Sequence, residues 1–160
     1  PKDFSSVLFL GETRKTCLVF QAKRQQVFID ETGKIQLSLK PGVTPEGIQK
    51  VLDKWYIEEL NKLIVPLAKE WESIMGVEVS SFKFRRMKSR WGLCNVLTHQ
   101  IVLNTEMAKK SFPCIEYILV HEMAHLHERG HGPKFKAIMD KYLPHWRILK
   151  KELNGKGVSY

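Results

Sequence analysis

The run His121-Glu122-Met123-Ala124-His125, inside a segment of helical pattern, limits this chain more than any other feature. Residues four apart on an α-helix differ by about 40° in direction. Both imidazoles therefore project from one face and can reach one metal ion. Glu122 lies one step round from His121. It is badly placed to bind the same ion, yet close enough to hydrogen-bond a water held there. The pattern divides the labour between two ligands and one general base. A core stripe of Ile115, Leu119, Met123 and Leu126 is complete without the histidines. The competing reading is therefore a pair of surface histidines on an amphipathic helix.

A catalytic zinc site needs a third protein ligand and an open fourth position. His131 follows His125 by the separation found in H-E-x-x-H-x-x-G-x-x-H proteins, but Glu128 stands where that motif has glycine. Gly130 and Gly132 flank His131 instead. Gly130 is expected to adopt the left-handed conformation and end the helix near Arg129, and Pro133 forbids its continuation. His127, about 200° round from His125, faces away. Glu152, on a late basic helix, is the carboxylate alternative. The expected cofactor is Zn²⁺, held by His121, His125 and His131, with Glu122 as base. Hydrolysis also needs an oxyanion donor. Tyr117 or an arginine within 85–90 could serve, though Tyr117 reads more simply as a buried aromatic and the arginines as a solvated strand face.

Around this centre, Val7–Leu10, Cys17–Phe20, Val27–Ile29 and Ile35–Leu39 read as strands, with Thr13-Arg14-Lys15 as a basic turn and Gly33 at positive φ. Thr44-Pro45-Glu46-Gly47 starts a helix carrying Ile48, Val51, Leu52 and Trp55 on one face. A second helical pattern runs from Leu60 to Met75, kinked or broken at Pro66 and ended by Gly76. Val77 to Arg90 reads as extended, with Phe82, Phe84, Arg86, Lys88 and Arg90 on one face. Ile101–Leu103 pairs as a hairpin. Helices follow after Pro133 and Pro144, the last fraying over Asn154–Gly157. The expectation is one domain over 1–160, with a strand-rich part at 1–40 and a zinc-helix core at 44–160.

Cys17, Cys94 and Cys114 are odd in number and widely spaced, which excludes a disulfide framework or a cysteine-built zinc site and suits a reducing cytoplasm. Buried structural thiols are the simplest reading of Cys94 and Cys114, and surface or packing roles that of His99 and His145. No apolar run spans a membrane, and the first residues lack a secretory pattern. Lys and Arg exceed Asp and Glu by 26 to 17, for a net charge of +9. Spread along the chain, this charge reads first as a solvated surface and second as a site for nucleic acid or nucleotide.

Arg86–Cys94, Ile101–Asn104, Pro113, Tyr117–Leu126, His131, Phe135, Pro144 and Trp146 together resemble the YgjP-like metal-dependent hydrolases, small zincins grouped with M48-type metallopeptidases. Leu93 stands where that family tends to have Ser, and Lys136 where it often has Trp. The resemblance implies an α+β fold in which N-terminal antiparallel strands and a small antiparallel sheet pack against the zinc-bearing helix. It carries the metal and base roles onto the residues already named. By analogy with zincins it makes the strand near Gln100–Asn104 the cleft edge, binding an extended peptide by strand addition. Gly130–Phe135 also resembles the segment after the zinc helix in SprT- and WLM-type proteases, which act on DNA-bound proteins.

Peptide-bond hydrolysis of a peptide or protein is the first functional expectation. A nucleotide phosphoanhydride hydrolase is the second, with Arg85, Arg86, Lys88 and Arg90 clamping phosphates. No Gly-rich phosphate loop or carboxylate cluster supports it. A structural-zinc domain binding nucleic acid is the third, but such a site has no use for Glu122.

Overall fold

The computed structural model describes residues 3–20 and 23–155. Four strands come first: β1 (Ser6–Phe9), β2 (Glu12–Val19), β3 (Gln26–Ile29) and β4 (Ile35–Ser38), paired in the order β1-β2-β4-β3. Phe9 sits opposite Glu12, so the β1–β2 loop is only Leu10-Gly11. Both residues have positive φ, 50° and 83°, as a two-residue hairpin turn requires. Thr13-Arg14-Lys15 is therefore strand, not turn. The hairpin tip is tied down where the Leu10 and Gly11 N–H groups donate to the carbonyls of Ala108 and Lys109, at 2.8 and 3.0 Å. In β4, Ile35 and Leu37 are fully buried while Gln36 and Ser38 are not, as the alternation predicts.

One helix, α1 (Pro45–Met75), replaces the two segments expected on either side of Pro66. Its start and stop are the expected ones. Thr44 Oγ1 accepts from the Gly47 N–H at 3.1 Å, and Gly76 closes the helix at φ 67°. Pro66 removes one N–H from the ladder. It lies on the exposed face, as does Lys62, whose carbonyl loses its partner to water there. The opposite face buries Leu60, Ile64, Leu67, Ala68, Trp71 and Met75 and holds the helix together across the proline. Ile74, expected on that face, is 58% exposed.

A second sheet contains β5 (Ser81–Arg85), β6 (Gly92–Cys94) and β7 (Gln100–Asn104) in the order β5-β7-β6. The chain bends after Arg85. Arg86 turns to Asp53 and Glu106, at 3.1 and 3.3 Å, so the basic residues beyond it do not extend the face of Phe82 and Phe84. β6 and β7 form the expected antiparallel hairpin, but β5 pairs with β7 in parallel, as β2 does with β4. The α+β class holds. Each sheet is mixed rather than antiparallel.

A 3₁₀ turn (Thr105–Lys109) leads to α2 (Phe112–Ala124), α3 (Pro133–Tyr142) and α4 (Trp146–Asn154). The expected fraying at Lys156–Gly157 lies outside the described residues. α2 packs against α1, α3, α4 and β6 and is buried continuously from Tyr117 to Ala124. It is a central helix, not the amphipathic surface helix of the competing reading. A single apolar core joins Phe9 in the first hairpin to Leu153 in α4. No described helix is long and apolar enough to cross a membrane.

Candidate metal centre

α2 stops at Ala124, short of the expected Arg129, with His125 as its C-cap. The N–H groups of His125, Leu126 and His127 bond to carbonyls three residues back, at 3.2, 3.0 and 3.0 Å, which tightens the last turn. Gly130 is not left-handed; the described positive-φ residues are elsewhere. The helix is ended by this tightening rather than by a glycine. The loop that follows still returns His131 to the helix.

Three Nε2 atoms then converge. His125 and His131 are 3.1 Å apart, His121 and His125 3.3 Å, and His121 and His131 3.4 Å. Imidazole nitrogens bound to a tetrahedral ion at about 2.05 Å lie about 3.3 Å from one another. The donor set and its spacing therefore fit one metal ion, and these are the described residues that can hold one. The Nδ1 atoms of His125 and His121 point outward. His125 Nδ1–H donates to the Glu128 carbonyl at 3.0 Å, and His121 Nδ1 faces the Tyr117 hydroxyl at 3.4 Å. Partners on Nδ1 leave Nε2 as the lone-pair atom. Glu128 thus uses its backbone, which explains why a glycine is not needed there. Phe135, buried on α3, touches all three rings, with centroid distances of 4.5 to 5.1 Å.

Burial lowers the proton affinity of the rings. It drives His121 down to about 2, helped by His125 and His131. Burial also lowers His125, against the opposing pull of the Glu128 carbonyl. His131 is lowered by burial and then by the charges of Lys150 and Arg90. Neutral imidazoles offer lone pairs to a metal without first losing a proton.

Glu122 is 2% exposed and lines the same cleft, a cavity of about 800 Å³. Gly92 makes room for it. A Cβ at position 92 would lie 2.8 Å from Glu122 Cγ and 2.9 Å from Oε2. Asn104 fixes the strand that carries Gly92. Its Nδ2 donates to the carbonyls of Met87 and Arg90 at 2.9 and 2.7 Å, and its own N–H donates to the Trp91 carbonyl at 2.9 Å. Neither residue follows from the metal motif. The available signal was a glycine at a strand start, which marks close approach of another group.

The other candidates fall away from the centre. Glu152 accepts the Cys114 thiol at 2.8 Å, and burial raises that thiol to about 11. His127 Nε2–H donates to the Met75 carbonyl, and His99 Nδ1–H to that of Glu78, both at 2.7 Å. Exposed His145 precedes α4. Tyr117 is fully buried behind His121, so it does not reach a substrate. Of the four basic residues at 85–90, Arg90 alone lines the cleft, where Arg129 joins it. Cys94 also lines it, but burial and the Glu122 charge raise its thiol to about 11. β7 is hydrogen-bonded on both sides, so the free edge at the cleft is β6, not the Gln100–Asn104 strand.

Comparison with known proteins extends this from site to whole chain. Residues 2–156 match the YgjP-like family, described as a metallopeptidase domain. The chain belongs to the YgjP-like metallopeptidases. Among solved structures, the metallopeptidase zymogen abylysin of Pyrococcus abyssi is similar in fold, with a TM-score of 0.55 at 19% identity, over 61% of this chain and 99% of that one. The zymogen jannalysin of Methanocaldococcus jannaschii superimposes at a TM-score of 0.42 and 16% identity, covering 61% and 92%, too loosely to carry an argument. No curated protein matches.

Two consequences are testable in this YgjP-like metallopeptidase. Gly92→Ala should retain its metal, measured by elemental analysis, and lose at least about tenfold in hydrolysis because Glu122 is displaced; full activity would refute the packing argument. His121 titrates far lower folded than its unfolded value of 6.5. Below pH 6.5 the unfolded chain therefore gains a proton that the folded chain lacks. In chelator, stability should be flat above that pH and fall by about 1 kcal/mol on going to pH 5.5, for His121 alone. Equal urea midpoints at pH 7.5 and 5.5 would contradict it.

Proposed function

We propose that this chain is a zinc peptidase, acting as one catalytic domain, in which His121, His125 and His131 hold Zn²⁺ and Glu122 is the general base. The observation that carries the reading is the approach of three imidazole nitrogens to within 3.4 Å, beside a carboxylate seated on Gly92. Three neutral nitrogens favour zinc over magnesium or calcium, which prefer oxygen ligands. Bound there, zinc supplies Lewis acidity toward the attacking water and the scissile carbonyl.

The chain's own groups do the rest. Glu122 takes the proton from the water as its oxygen attacks the carbonyl carbon. It then delivers that proton to the departing amine, so it ends as it began. Glu122 itself is buried at the floor of the cleft, 2% exposed, which strengthens its charge interactions. The substrate backbone adds to the free edge of β6, Gly92–Cys94, and is held extended over the centre.

The basic stretch at 85–90 gives little support to a phosphate clamp, since Arg86 is committed to Asp53 and Glu106. Glu122→Gln should keep zinc at one equivalent and lose at least about a hundredfold in peptide hydrolysis. His131→Ala should lose most of the bound zinc after dialysis. Peptidase activity surviving Glu122→Gln would remove the base, and zinc surviving His131→Ala would remove the third ligand.

A further inference from the structure

The cleft is polar at one end and apolar at the other. Arg90 precedes β6 and Arg129 sits two residues before His131; both line the cleft, both are exposed, and neither has an ion-pair partner among the described residues. Arg90 stands two residues before Gly92, which abuts Glu122, and Arg129 two residues before His131, so both arginines line the cleft close to the candidate centre. Beyond the other end of β6, the hairpin tip presents Val96 and Leu97, the latter 83% exposed at the cleft wall. The acidic side chain lining this space is Glu122, buried at the floor. Two guanidinium groups without an ion-pair partner among the described residues leave a strongly positive end that an anionic group would neutralise.

β6 fixes the direction in which a peptide meets these ends. An added strand pairs more stably when antiparallel. Its C-terminal part then lies toward the start of β6 and Arg90, and its N-terminal part toward Val96 and Leu97. The Glu122 carboxylate rests against Gly92, so the bond being cut lies near Gly92. Arg90 is two residues further along. We propose that Arg90 and Arg129 are specificity residues selecting a carboxylate within a few positions C-terminal to the scissile bond, with apolar side chains preferred on the N-terminal side. The carboxylate is either a Glu or Asp side chain or the peptide's own C-terminus. This rests on the peptidase reading above.

The test uses binding as well as cleavage. Zinc-loaded Glu122→Gln protein is titrated with fluorescent peptides of one sequence, apolar residues followed by Glu or by Gln, each ending as free acid or as amide. Anisotropy should show carboxylate-bearing peptides binding about tenfold tighter than the neutral amide. The Glu–amide and Gln–acid arms show whether the side chain or the terminus is read. In the Arg90→Gln, Arg129→Gln double variant the ratio should fall close to one. Equal affinities for charged and neutral peptides, or a preference that survives both arginine substitutions, would overturn the inference. The same peptides are given to the zinc-loaded wild type. Cleavage without carboxylate preference sinks the inference alone; carboxylate-selective binding without any cleavage sinks the peptidase reading, and with it the placement relative to a scissile bond, leaving the arginines as a carboxylate-binding pair.

Discussion

Three imidazole nitrogens within 3.4 Å of one another make a site in which neutral rings can turn their lone pairs toward one shared cation. Much of the fold serves that arrangement. α2 is enclosed by three helices and a strand, so His121 and His125 cannot relax outward into water. Phe135 fills the space behind the rings and limits their rotation. The Glu128 carbonyl fixes the ring of His125 from its far side. A charged imidazole there would face two like neighbours and a low dielectric, and the lowered proton affinities express that cost.

Glu122 depends on a different element. Glu122 is positioned by a missing side chain, the Cβ that Gly92 lacks, and Gly92 is positioned by the loop that Asn104 ties together. The three histidines and Glu122 are thus supported independently, the former by the helix and its return loop, the latter by the sheet. β6 thus both seats Glu122 and leaves a strand edge free at the cleft.

Much of this was legible in the sequence, for physical reasons that differ by element. Histidines four apart on a helix can hardly avoid sharing a face, so His121 and His125 were readable from spacing alone. His131 was readable from its offset, although the expected device, a left-handed Gly130, is not the one used. α1 shows why local signals mislead. Pro66 announces a break, but a buried face along much of the helix outweighs one lost hydrogen bond at an exposed position. Sheet pairing was the least legible. Nothing in Phe82–Phe84 or Ile101–Leu103 specifies that they lie parallel, and that pairing puts β7 in the middle and β6 at the edge. The mistaken cleft strand follows directly from this, as does the overlooked Gly92. Arg129 escaped notice because the helix was expected to reach it.

X-ray absorption at the zinc edge tests the central claim most directly. The account predicts three imidazole nitrogens and one oxygen ligand at about 2.0–2.1 Å, with multiple-scattering features of histidine. A sulfur neighbour near about 2.3 Å, which would bring in Cys94, or a fit with only two imidazoles would contradict it.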